Sequence, residues 1–282
     1  MICPAIQKDI VDACAKEIIK AIIQDLDDYF FGILVDESKD ISHKEQMTLV
    51  IRYVNKRGEV IERFLDIVHV NDTSALSLQK TIYDLLLDHS LSSSKLRGQG
   101  YDGATIDLQL HELNNRFDVV TSDLLLGMAS LNPIDSFANF DKDRIMKLAE
   151  YYPSEFDDNK LRDLRFQLDS FIVYAQMPHS KFINLKGMKD LAIVMAETKL
   201  DQTWCHIYLL VKLTLILPVA TASVERAFSS MKLIKSDLRN SISEEFLNGC
   251  LVCNIERKVF APVNNDAIID RFQSMKTRRV QL

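Results

Sequence analysis

Between Phe30 and Val70 the chain carries three closely spaced runs of β-favouring residues, and only one short stretch of similar kind follows them. That confinement restricts the fold to a small sheet accompanied by a much larger helical part. Phe30-Phe-Gly-Ile-Leu-Val-Asp36 is an unbroken apolar run closed by a carboxylate, the pattern of a central strand covered on both faces. Met47–Val54 and Val60–Val70 are joined through Asn55-Lys-Arg-Gly58 and predict an antiparallel hairpin beside the first strand. The short fourth stretch, Lys95 to Gly103, ends in glycines around Asp102.

Helical spacing governs the rest. Ile10, Val11, Cys14, Ile18, Ile19, Ile22 and Leu26 predict an amphipathic helix over about the first thirty residues. Leu78, Ile82, Leu85 and Leu86 give a helix over Ser77 to His89 that crosses back over the sheet. After Ala104 the recurrence of Leu108, Leu110, Leu113, Phe117, Val120, Leu124 and Leu125 starts a helical region, with further helices over 144–151, 160–174, 185–198 and 204–217. Pro218-Val-Ala-Thr-Ala-Ser223 interrupts the pattern. A helix restarts with Val224, Ala227, Phe228, Met231 and Ile234, and Ser241-Ile-Ser-Glu244 reads as a capping box opening another. The latter carries Phe246, Leu247, Cys250, Leu251, Ile255 and Val259 as an apolar stripe. With only eight Gly and six Pro among 282 residues, there is too little punctuation for an all-β architecture, and the expected class is α/β followed by α.

Several functional classes drop out on composition. The N-terminus lacks the basic start and long apolar run of a signal peptide, and no apolar run is long enough to span a membrane, so an intracellular protein without membrane contact is expected. Five cysteines are too few and odd in number for a disulfide framework. Cys250 and Cys253 have the spacing of half a zinc site, but no second pair lies nearby and both fall in an apolar helix, where Cys packs as a small hydrophobe. The six histidines are scattered without metal-ligand spacing. The formal charge of −6 is not that of an autonomous nucleic-acid binder. Its distribution is uneven: Arg226 to Leu282 has ten Lys/Arg against six Asp/Glu, a balance of +4, leaving −10 for the preceding residues. That basic end is either a solvated surface or a contact for DNA phosphates.

A strand, a hairpin, a helix and a short strand, with acids ending the first and fourth strands, is the layout of an RNase H-like nuclease core. In such chemistry, carboxylates hold Mg²⁺ or Mn²⁺ ions that stabilise the attacking and leaving oxygens of a phosphodiester. Asp36 and Asp102 fit the first two positions, although Asp is also a common turn former. Phe31-Gly-Ile-Leu-Val-Asp-Glu-Ser-Lys-Asp-Ile-Ser42, Arg52-Tyr-Val54, Glu62-Arg-Phe64 and Gly98-Gln-Gly-Tyr-Asp-Gly-Ala104 resemble the core of hAT-type transposases and their domesticated zinc-finger MYM-type-like relatives. Leu217-Pro-Val-Ala-Thr-Ala-Ser-Val-Glu-Arg-Ala-Phe-Ser229, with Leu238-Arg-Asn240, is similar to the hAT C-terminal dimerisation region.

The resemblance implies an acid triad of Asp36, Asp102 and Glu225 as catalytic and metal-holding residues. Glu225, read without it, is an acid at a helix start, where the dipole favours one. The resemblance also implies a dimerisation seam formed by Phe246, Leu247, Cys250, Leu251 and Ile255, with the chain itself or a related hAT-type chain as partner; the same stripe would serve equally as internal core. Nuclear localisation is implied by the family alone. One departure is large: Ala104 runs directly into sequence resembling the far end of the family's helical insertion, without its Cys-x-x-His motif or last core strand. The expected organisation is a partial RNase H-like core over 1–104, a remnant of the insertion over 105–203 and a dimerisation region over 204–282. A metal site needs its ligands fixed to within about an ångström. A catalytically inactive interaction protein that needs no cofactor is therefore expected, with Mg²⁺ or Mn²⁺ required only if the triad works. The alternatives are a metal-dependent transposase or nuclease and a DNA-binding regulator.

Overall fold

The computed structural model describes residues 3–72, 74–102, 117–217, 222–235 and 242–276. In chain order the elements are α1 (Pro4–Leu26), β1 (Phe31–Lys39), β2 (Glu45–Val54), β3 (Val60–His69), α2 (Ala75–Asp88), β4 (Leu96–Asp102), α3 (Phe117–Ser130), α4 (Lys142–Glu150), α5 (Asp158–Ala175), α6 (Met188–Glu197), α7 (Cys205–Leu215), α8 (Ala222–Ile234), α9 (Glu244–Ile255) and α10 (Asn265–Ser274), with single helical turns between some of them. A mixed four-stranded sheet is followed by a mostly helical region, as the apolar runs predict. The recurrences at Leu108, Leu110 and Leu113, and Ser241 of the capping-box reading, lie outside the described residues. The helix α9 is entered at Ser243 with no side-chain cap bond.

The sheet order is β3-β2-β1-β4. The strands β1, β2 and β3 run antiparallel in sequence, and β4 lies parallel to β1. Phe31 to Val35 are all buried, which requires cover on both faces and explains the unbroken apolar run. Asp36 does not end the strand, however. The backbone keeps its extended pairing through Lys39, and what changes at Asp36 is exposure. Leu78, Ile82, Leu85 and Leu86 form the buried face of α2.

The chain divides into two compact units at boundaries other than the expected ones. One comprises Met1–Arg52, Glu62–Ile106 and Pro218–Leu282, so the C-terminal segment belongs with the sheet rather than to a module of its own. The other comprises Tyr53–Ile61 and Asp107–Leu217, which places α7 with the preceding helices. In this second unit Trp204 packs between Phe171 and Tyr174, with ring centroids 5.4 and 5.1 Å away, and its indole N–H donates to Ser170 Oγ at 2.9 Å. Packing with a satisfied polar handle is the role its type favours. Gly58, at φ +80° in the hairpin turn, is held so near the second unit's own α6 that a Cβ would lie 2.3 Å from the Ala192 carbonyl oxygen.

In the first unit α1 packs along α9 and α10, and α8 packs on β1 and α9. The approach of α1 to α9 depends on Gly249, where a Cβ would come within 2.9 Å of Val11 Cγ1. The buried line of α1 is Ala15, Ile18, Ile22 and Leu26, whereas Ile10 at its N-terminal end is exposed. Two acids on the same helix are also buried: Glu17 pairs with Arg271, and Asp9 with Lys276 at 2.8 Å.

The most enclosed ion pair among the described residues joins Asp40, in the β1–β2 turn, to Lys235 just beyond α8, with side-chain exposures of 0% and 4%. Asp40 also accepts the Ser42 N–H at 2.7 Å, the Lys44 N–H at 3.1 Å and the Gln46 amide at 3.2 Å. Burial alone would raise its pKa. The hydrogen bonds from Lys235, Lys44 and Ser42 outweigh burial and hold the carboxyl below its ordinary value of 3.8. Because the folded pKa is depressed, the pair's contribution is present above the unfolded pKa and is lost as pH falls through the folded one. Asp40→Asn, which strands a buried ammonium, should destabilise the fold by about 3 kcal/mol at pH 7. Chemical denaturation of both proteins at pH 7 and at about pH 3 checks this: the difference between them should shrink on acidification.

Candidate functional site

The end of β1 is the place where carboxylates gather. Asp36 is half-buried, takes the Glu37 N–H on Oδ1 at 2.7 Å, and accepts Thr48 Oγ1 on its carbonyl at 3.3 Å. In the parallel pair with β4, Asp36 stands in register with Asp102, so the two sequence-predicted acids occupy facing positions on neighbouring strands. The Asp102 side chain lies outside the described residues. Glu37, next along β1, has Oε1 buried without a hydrogen-bond partner. Its pKa is raised by burial and then by the neighbouring charges of Glu45 and Asp36. Lys39 partly balances this acidic edge by pairing with Glu45 at 3.2 Å.

Glu225 sits in the first turn of α8 and is exposed; its backbone carbonyl accepts Ser229 Oγ at 2.9 Å. Its neighbours are anchored instead. Ser223 Oγ donates to Glu62, which pairs with Arg52 at 2.6 Å. Arg226 contributes positive charge to Glu256, whose Oε1 accepts the Phe64 N–H at 2.8 Å while Oε2 faces Arg63 at 3.5 Å. Residues of the separate strings thus meet, Arg52 and Ser223 at Glu62, and Arg63, Phe64 and Arg226 at Glu256. Among the described residues no three His, Cys, Asp or Glu side chains are grouped so as to hold a metal ion.

The apolar stripe of α9 is used within the chain. Leu247 and Leu251 are 1% and 0% exposed, and Phe246, Cys250 and Ile255 are half-buried against the same unit. As a seam for another molecule the stripe is corrected to core at Leu247 and Leu251, because α1 and α8 already cover that face. Burial raises the thiol pKa values of Cys14, Cys250 and Cys253, that of Cys253 to about 12, as suits thiols packed as small apolar groups. Asn248 and Glu256, which the sequence reading did not single out, take backbone N–H groups of the edge strand β3, Ile67 at 3.3 Å and Phe64 at 2.8 Å. An Asn on a helix or a Glu at its C-cap carries no local sign of such a distant partner.

A mixed sheet with acids in register on its parallel pair, helices against it and an α-helix crossing from β3 to β4 defines an RNase-like domain. Residues 1–109 match the family described as ZMYM1/FAM200, RNase-like domain. The chain is therefore similar in this part to a family of transposase-derived proteins.

Glu256 gives a test of how the network stabilises the domain. Burial raises its pKa, against the opposing effects of the Phe64 N–H, Arg63 and Arg226, so its protonation favours the fold at low pH and this contribution fades as pH rises through the folded value. Glu256→Gln retains an acceptor for Phe64 and should change stability at pH 7 by less than about 1 kcal/mol, whereas Glu256→Ala should cost about 1–3 kcal/mol. Denaturant midpoints of the two variants measure the difference.

Proposed function

We propose that this is a transposase-derived protein that has lost catalysis and works by associating with itself or with a related chain. The observation that carries the first part is the fate of the third acid. Glu225 is exposed, while Ser223 and Arg226 on either side of it serve the network around Glu62 and Glu256. Ser223 and Arg226 thus serve polar contacts that are independent of any chemistry at Glu225. A two-metal reaction needs both oxygens of the phosphodiester clamped by rigidly held ligands. The join after Ala104, where the family's last core strand and Cys-x-x-His motif are missing, takes away the surroundings that would hold them.

Association is favoured by the resemblance of 217–229 to the hAT dimerisation region, and a nuclear location follows from the same resemblance. Since the α9 stripe is enclosed, the associating surface is assigned elsewhere on the protein. Among the described residues no helix is long and apolar enough to cross a membrane. The rival reading, a metal-dependent nuclease, has the register of Asp36 with Asp102 in its favour. The full chain incubated with Mg²⁺ or Mn²⁺ and duplex DNA should neither cleave nor join strands. Metal-dependent strand transfer that disappears in Asp36→Asn would establish the rival.

A further inference from the structure

The helix α2 is apolar on two sides. Its inner face, Leu78, Ile82, Leu85 and Leu86, is buried. Opposite it, Leu76, Lys80, Tyr83 and Leu87 follow one another at spacings of four, three and four, which places them on a single line along the helix. Leu76, Tyr83 and Leu87 are 72%, 47% and 75% exposed. Single exposed apolar residues need no explanation, but three on one line of one helix form a face.

The order of residues along that face indicates its occupant. Set against itself in the antiparallel sense, about a two-fold axis between Thr81 and Ile82, the line brings Leu76 opposite Leu87 of the second copy. Lys80 then falls beside Tyr83 and Asp84 of that copy, and each of these contacts occurs twice. Lys80 and Asp84 are both exposed, and neither forms an ion pair among the described residues. An isologous interface requires a surface that is its own complement, leucine meeting leucine and ammonium meeting carboxylate, and this line satisfies that requirement.

We infer that the outer face of α2 is a homodimer contact, in which two copies pair α2 against α2 in antiparallel fashion through Leu76, Tyr83 and Leu87, with Lys80 bridging to Asp84 of the other copy. The inference rests on the proposed association and names its surface. One pair of 14-residue helices is small beside ordinary stable interfaces, so the dimer is a reversible one. The cation–carboxylate contacts fix the antiparallel register, while the leucines supply the apolar contact.

Sedimentation velocity of the full chain, from about 10 to about 300 µM, tests this in the range where a small interface populates a dimer. The wild type should show a concentration-dependent dimer. Lys80→Glu and Asp84→Lys should each raise its dissociation constant about tenfold, because each places like charges opposite one another twice. The double variant K80E/D84K should restore it towards wild type, and L76K/L87K should be monomeric. Circular dichroism should be unchanged, since the altered side chains are exposed. A dimer that is unaffected by L76K/L87K would overturn the α2 contact and leave association by another surface standing. A double variant no better than the single ones would overturn the antiparallel register, and with it the inference. A wild type monomeric at the highest concentration would overturn both this contact and the proposed self-association, leaving the face to a different occupant.

Discussion

The sheet and the C-terminal helices are tied together by charges that water does not reach. Asp40 closes the β1–β2 turn with its own backbone bonds and reaches Lys235, 195 residues later, with its remaining oxygen. A buried charge without its partner is far more costly than the pair. The turn therefore settles only when α8 is in place, and α8 in turn positions α9. From α9, Asn248 and Glu256 cover N–H groups of β3, a strand that would otherwise offer an unpaired edge to other chains. The helices after Pro218 are thus a structural part of the sheet domain. Their apolar residues fill its core, and their polar residues protect its edge.

This arrangement changes the meaning of the most recognisable sequence strings. A string such as Ser223-Val-Glu-Arg226 suggests a catalytic acid when read along the chain. In three dimensions its serine and arginine serve Glu62 and Glu256, and the glutamate between them faces solvent. The α8 helix packs on β1 and α9, so the string has packing and electrostatic roles that need no catalysis. The presence of the string is then compatible with the proposed loss of catalysis.

The parts of the fold legible in the sequence are those set by local periodicity. Phe31 to Val35 are apolar without interruption because β1 is buried on both faces, and the inner line of α2 is plain from four leucine-type residues at helical spacing. Periodicity identifies a face but not what covers it. The stripe of α9 has the pattern of a dimer seam and is filled by α1 and α8, while the outer line of α2, with two leucines, is a weaker pattern than the inner one. Asp36 and Asp102 are legible as facing acids because each closes a short run read as a strand, though β1 continues beyond Asp36. Asp40, Lys235, Asn248 and Glu256 are not, since a buried polar pair separated by most of the chain leaves no local trace.

The central claim is that the segment after Pro218 folds as one body with the RNase-like sheet. Native-state hydrogen exchange in low denaturant measures this directly, because amides that open together share one free energy and one denaturant dependence. Amides of α9 should exchange through the same opening as those of β1 and β2, and the Phe64 amide held by Glu256 should be protected alongside them. If α9 instead opens at markedly lower free energy while β1 and β2 stay protected, the C-terminal helices are an appendage and the account is wrong.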